Sequence, residues 1–307
     1  MINALLRFVF VVLPMAVTTL VMMLKQPFVP SCLHHGRGEA NAAFFIFGDS
    51  LLDAGNNIHL NNSMKANHWP YGETFFHYPA GRICDGRIPP DFIAEYAGLP
   101  FIKPYLQPNF TDYTGGANFA SAGAGVLHQT SPDVVLLFPS IHDRKCTSWA
   151  GRKFSFQNVA PIGCNPSMRY EMRIDGYWED SNVLAHTHNV ALSRLLPELE
   201  KELVGFKYVL FDYYTMLLER IFNNSEYGFE VGKSACCWSR AYNGNFTCGI
   251  RGENFMLCPY PNVFVFFDPA HPTEAANREL SWLMWSGEPP VMRPPRNLKS
   301  LFEVSSD

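Results

Sequence analysis

Charge is scarce in this chain. Asp, Glu, Lys and Arg make up 17% of its 307 residues and nearly cancel, leaving a formal net charge of −4 and a pI near 6.2. No basic stripe is available to neutralise phosphates, which argues against a nucleic-acid partner. Internal repeats and low-complexity tracts are absent as well. A zinc spacing is missing too: Cys236 and Cys237 are adjacent, then wide, irregular gaps lead to Cys248 and Cys258, unlike the close ligand pairs of common zinc sites. What the chain has in quantity is apolar surface. At 47% hydrophobic residues it can bury one sizeable core and is too apolar for disorder.

The N-terminus carries Arg7 and then an apolar run from Phe8 to Leu24, interrupted only by Pro14, Thr18 and Thr19. Such a run fits a secretory signal peptide; a membrane anchor is the alternative, at the lower limit of length for crossing a bilayer. Residues 1–42 are therefore expected to be signal and leader, removed somewhere before Ala43, with no stable membrane span afterwards. Four sequons, beginning at Asn61, Asn109, Asn223 and Asn245, agree with passage through a glycosylating compartment. Of the eight cysteines, the last four crowd a Gly-, Asn- and Tyr-rich stretch. In a secreted chain that crowding predicts disulfides stapling a loop, with the connectivity left open. The expected location is extracellular or in the cell wall.

Strand-like and helix-like patterns alternate along the chain. Phe154–Val159 and Lys207–Phe211 read as buried strands, and Asn182–Leu203 carries Leu184, His188, Ala191, Leu195, Leu199 and Leu203 at helical spacing. Pro197 is expected to kink or interrupt that helix. His186 and His188, two positions apart, point to different helix faces and are read as surface and packing residues rather than ligands. A last helix is expected from Pro272 and Thr273 through Trp285, followed by a loose tail over residues 288–307. Alternation of this kind predicts an α/β fold, a parallel sheet covered by helices, in one domain over residues 43–287.

Two apolar runs end in residues able to do chemistry. Phe44-Phe45-Ile46-Phe47 leads through Gly48 and Asp49 to Ser50, and Val263-Phe264-Val265-Phe266-Phe267 leads to Asp268 and His271. Each reads as a strand delivering a polar group at its end, where α/β folds place reacting groups. A serine hydroxyl is a weak nucleophile until a base takes its proton, and the base needs a partner to orient it. A third segment, Gly115 to Gly125, is dense in glycine, and backbone N–H groups in such turns can face developing negative charge. Asp53, Asn56 and Asn57 follow Ser50 and are read as a turn satisfying its own backbone. Asp85 and Asp91 are set aside as a glycosidase-type carboxylate pair, because nothing in the sequence fixes their separation.

The stretch Phe44 to Asn57 resembles the first signature block of the plant GDSL esterase/lipase family, a branch of the SGNH hydrolases. The likeness recurs in order at Tyr71-Gly72, Gly81-Arg82-Ile83-Cys84-Asp85-Gly86-Arg87, Gly116 to Gly125, Pro161-Ile162-Gly163-Cys164 and Phe267 to Asn277. It implies a flavodoxin-like three-layer α/β/α sandwich with a mainly parallel sheet. It also implies Ser50 as nucleophile, His271 as base, Asp268 as its orienting partner, and the N–H groups of Ser50 and Gly123 as an oxyanion hole. The implied substrate is a small-molecule or lipid ester, with no metal, no organic cofactor and no protein partner indicated. The family's further oxyanion donor, an asparagine in a Gly-x-Asn-Asp block, has no counterpart, since residues 126–150 contain no asparagine. A core strand goes missing with it unless Val134–Phe138 takes the place. Loss of one such donor typically costs roughly 10²–10³ in turnover, so a catalytically impaired binding protein is the alternative to an active esterase.

Overall fold

The computed structural model describes residues 21–25, 43–62, 64–125, 153–240 and 243–303. Among them the strands are β1 (Val21–Lys25), β2 (Ala43–Phe47), β3 (Gly116–Asn118), β4 (Lys153–Gln157), β5 (Lys207–Phe211), β6 (Val231–Ala235), β7 (Cys237–Trp238), β8 (Met256–Leu257), β9 (Phe264–Phe266) and β10 (Met292–Arg293). The α-helices are α1 (Pro89–Tyr96), α2 (Pro166–Met172), α3 (Glu179–Glu202), α4 (Tyr213–Phe222), α5 (Glu274–Ser286) and α6 (Leu298–Glu303).

A six-stranded sheet in the order β10-β5-β4-β1-β2-β3 forms the centre. β2 is parallel to β3 and β4 to β5, while β1 lies antiparallel to both β2 and β4. The strands β2, β3, β4 and β5 therefore all run one way, and β1 and β10 run the other. Side chains alternate across this sheet as the pleat requires. Phe44, Ile46, Val209 and Phe211 face a core shared with α1, α4, α5 and α6, whereas Phe156, Tyr208 and Leu210 face Leu192 and Leu196 of α3. Helices on both faces make the expected α/β/α sandwich.

The place between β2 and β4 is taken by β1, in the register Val21↔Phe47 to Lys25↔Ala43. This strand comes from the apolar run expected to belong to the leader, and Val134–Phe138, the segment expected to fill the gap, lies outside the described residues.

Two other expectations are corrected. Residues 288–307 do not form a loose tail as far as they are described: Met292 pairs with Phe211 on the sheet edge, and Met292, Leu298 and Leu301 are buried in the main core. Three apolar side chains among prolines suffice to dock the segment, so the domain reaches at least residue 303. Helix α3 runs through Pro197 without interruption, and it buries Asn182, Ala185, Asn189, Leu192 and Leu196, leaving Leu195 and Leu203 exposed. Its buried stripe is part polar because Asn182 accepts from Gly163 N–H at 2.9 Å and Asn189 exchanges two bonds of 2.8 Å with the Val159 backbone.

Candidate active site

Five apolar residues make β2 a fully buried strand, and Gly48 ends it where a Cβ would lie 2.5 Å from the Leu52 side chain. The chain then turns. Leu52 N–H donates to the Asp49 carbonyl and Leu51 N–H to the Asp49 carboxylate, both at 3.1 Å, which leaves Ser50 at the tip. β9 carries the chain to Phe267, whose N–H donates to the His271 carbonyl at 2.8 Å. That bond closes the loop bearing Asp268 and His271, and Thr273 caps α5 just beyond it.

These loops bring three side chains, 221 residues apart in sequence at the widest, into one line. His271 Nε2 lies 2.8 Å from Ser50 Oγ, and His271 Nδ1 lies 2.7 Å and 2.9 Å from the two oxygens of Asp268. An ionised carboxylate only accepts, so Nδ1 carries the proton and Nε2 is free to accept from the serine hydroxyl. Burial alone would raise the pKa of Asp268, but His271 and the N–H groups of Ala270 and His271 outweigh it and hold the carboxyl below its usual range. Burial would lower that of His271, yet the Asp268 carboxylate raises it above the ordinary value. A base oriented by a buried anion, touching a hydroxyl, is an arrangement for nucleophilic attack.

The glycine-rich segment lies beside Ser50, held by a polar lattice. Asp53, 1% exposed, accepts from the N–H groups of Gly55, Asn56, Asn57 and Ala122. Asn56 Nδ2 donates to the carbonyls of Asn118 and Ala120, Asn57 Nδ2 donates to that of Ala122, and Ser121 Oγ donates to Asn57 Oδ1. The expectation that this turn satisfies only its own backbone is thus incomplete: it also fixes the segment carrying Gly123. Gly123 itself has φ +82°, a conformation that favours glycine. Among the described residues neither its N–H nor that of Ser50 is engaged in a hydrogen bond.

Asp85 and Asp91 are kept on separate structural tasks. Asp91 takes a two-pronged ion pair from Arg82, at 2.7 Å for each bond, and Asp85 accepts from Glu274 N–H at the start of α5. Of the expected glycosylation positions, Asn61, Asn109 and Asn223 are exposed; Asn245 is half-buried, with Thr247 of its sequon buried against Ser239. The described residues include no cluster of His, Cys, Asp and Glu suited to a metal ion.

A group that sequence reasoning passed over is Tyr71, whose hydroxyl donates to Asp268 Oδ2 at 2.9 Å. The Tyr71-Gly72 pair stood out in the sequence, but nothing there tied it to Asp268.

The family model described as GDSL-like Lipase/Acylhydrolase matches residues 44–145 and 138–282. The chain belongs to that family. It is 40% identical to a GDSL lipase of Tanacetum cinerariifolium, over 85% of this chain and 88% of the relative. Identity to GDSL esterase/lipase 1 of Arabidopsis thaliana is 36%, over 86% and 91%. Another relative, at 31% identity over 86% of this chain and 75% of its own length, is the inactive GDSL esterase/lipase-like protein 25 of Arabidopsis thaliana.

Proposed function

We propose that this GDSL family member is a serine esterase that cleaves carboxylic esters of lipid or cell-wall type through an acyl-enzyme. The line from Asp268 through His271 to Ser50, with contacts of 2.7 Å and 2.8 Å, carries the reading. As Ser50 Oγ attacks the ester carbonyl, His271 Nε2 accepts its proton, and Asp268 stays ionised and stabilises the imidazolium. The carbonyl oxygen becomes an oxyanion facing the N–H groups of Ser50 and Gly123. His271 then protonates the departing alcohol, and water, deprotonated by the same nitrogen, releases the acid from Ser50. The names of the relatives, lipase and esterase/lipase, support the reaction class.

Two disulfides, Cys236–Cys258 and Cys237–Cys248, together with exposed sequon asparagines, support secretion. Among the described residues no helix is long and apolar enough to cross a membrane. Removal of residues 1–42 would vacate the place of β1 between β2 and β4, so the mass of the mature N-terminal peptide decides whether β1 persists.

One observation favours a second reading, that of a catalytically impaired chain. β1 is antiparallel, so its first residue, Val21, sits opposite Phe47 at the site end of the sheet, and the strand's C-terminal end points away from Ser50. It supplies no asparagine there. The alignment with the Tanacetum relative runs over 324 positions, more than the whole chain, while using 85% of it, which is in keeping with residues in the relative that this chain lacks.

Hydrolysis of p-nitrophenyl acetate by the purified chain and by Ser50→Ala separates the readings. The esterase reading expects a loss of about 10⁴-fold or more in the variant. Equal rates from two folded proteins would overturn it and leave the impaired chain.

A further inference from the structure

We infer that the Tyr71 hydroxyl is a positioning group of this site: by donating to Asp268 Oδ2 it fixes the carboxylate in the orientation in which it holds His271. The inference rests on the proposed triad.

The two oxygens of Asp268 are not equally held. Oδ1 accepts from the N–H groups of Ala270 and His271, each at 2.9 Å, and from His271 Nδ1 at 2.7 Å. Among the described residues, Oδ2 has the Tyr71 hydroxyl at 2.9 Å and otherwise only a share of Nδ1. Without Tyr71, a carboxylate 1% exposed would keep one oxygen without a full donor of its own, and burying an under-solvated anion is costly. Its charge would then lean more heavily on the imidazole.

The local sequence is shaped to deliver that hydroxyl. Gly72 has φ +82°, and a Cβ there would come within 2.2 Å of the Tyr78 carbonyl. Its N–H donates to the Cys84 carbonyl at 2.9 Å, so the turn after Tyr71 is tied to the neighbouring block. The Tyr71 ring stands edge-on to Phe267 at 5.6 Å and to His68 at 5.2 Å, and it packs with Cys236, Cys237 and Cys248 of the disulfide-linked loop. Burial and then the Asp268 charge push its pKa well above the ordinary tyrosine value, so the hydroxyl remains a donor throughout the range in which His271 titrates. Other ionisable groups near the pair are Asp49, whose charge acts on His271, and the Cys84 thiol and His68 ring, which face Tyr71. None of these hydrogen-bonds Oδ2 among the described residues.

The test is Tyr71→Phe, which keeps the ring and removes the hydroxyl, with His68→Ala as a packing control. The midpoint of the His271 ring-proton titration, followed by NMR in the resting protein, is expected to rise by about half a pH unit in Tyr71→Phe, because a carboxylate with one donor fewer favours the imidazolium more. The acid limb of kcat/KM should move with it, and plateau kcat should fall about five- to tenfold with KM little changed. His68→Ala should move neither midpoint. An unmoved midpoint in folded Tyr71→Phe, or an equal shift in His68→Ala, would overturn the inference. If Tyr71→Phe fails to fold, the unaltered protein decides: a Tyr71 hydroxyl proton protected from exchange and close to the His271 Nδ1 proton supports the role, and its absence overturns it. The titration needs no turnover. A shifted midpoint in a chain that hydrolyses nothing would therefore retain Tyr71 as a positioning group while removing the esterase reading.

Discussion

The two halves of the candidate site are built from different materials. Ser50 and the Gly123 segment stand on hydrogen bonds, with Asp53, Asn56, Asn57 and Ser121 joining two loops more than sixty residues apart. Asp268 and His271 stand on covalent and aromatic support. The N–H groups of Cys236 and Cys237, both in disulfides, donate to the Phe266 and Phe267 carbonyls at 2.9 Å and 2.7 Å, while Tyr71 and Phe267 pack together behind the loop. A polar lattice fails when one acceptor is removed, because buried donors are left unpaired. A stapled, ring-packed loop fails when its cross-links are cut. The proposed catalytic line crosses between these supports at the contact between His271 Nε2 and Ser50 Oγ, so either failure should break it.

The largest difference is expected on the polar side. Asp53→Ala leaves four buried N–H groups without their acceptor, at roughly 1–3 kcal/mol for each that stays unpaired. Partial relaxation should bring the loss to about 4 kcal/mol in denaturant unfolding. Hydrogen exchange should quicken over residues 53–57 and 118–123 before it does over 264–271. Equal quickening in both segments would show that the halves are one cooperative unit.

Cutting one staple is the converse and somewhat smaller perturbation. Replacing Cys237 and Cys248 together by serine removes a cross-link spanning 11 residues, worth roughly 3 kcal/mol in a loop of that size. Exchange should quicken first over residues 236–258 and 264–267, with Ala43–Phe47 still protected. A variant that loses protection around Ser50 first would refute the division.

The sequence disclosed the two halves unevenly. Apolar runs ending in Ser50 and in Asp268 and His271 could be read directly, because a strand is a local pattern and its polar terminus follows it. Asp53 and the asparagines could not, since a turn that bonds its own backbone and one that ties down a distant loop have the same local sequence. The buried face of α3 was missed for a related reason. Apolar spacing favoured Leu195 and Leu203, but Asn182 and Asn189 earn burial through bonds to Gly163 and Val159, partners invisible to a hydrophobic count. Met292, Leu298 and Leu301 were hidden among prolines that read as punctuation. β1 is the hardest case: an apolar N-terminal run satisfies a leader and a central strand equally well.

The smallest effect is also the one that sets stability and activity in opposite directions. On the polar side, burial pushes Asp49 and Asp53 up to about 6. Between their unfolded values near 4 and these raised values the folded state holds more protons, so stability falls as pH rises through that window and returns on acidification. On the other side, His271 has a raised pKa, so its contribution is complete below its unfolded value of 6.5 and is lost as pH climbs through the folded one. Asp268 has a depressed pKa, and its contribution holds above 3.8 and fails only as pH drops below that. Acidifying from pH 7.5 to pH 5 should therefore stabilise the fold, raising the melting temperature by a few degrees. As pH falls through its raised folded pKa, His271 takes up a proton and can no longer accept one from Ser50, so ester hydrolysis should fall by about tenfold per pH unit below that pKa. Melting temperature and rate measured side by side would test this. If both fell together on acidification, the loss of activity would reflect unfolding rather than protonation of His271.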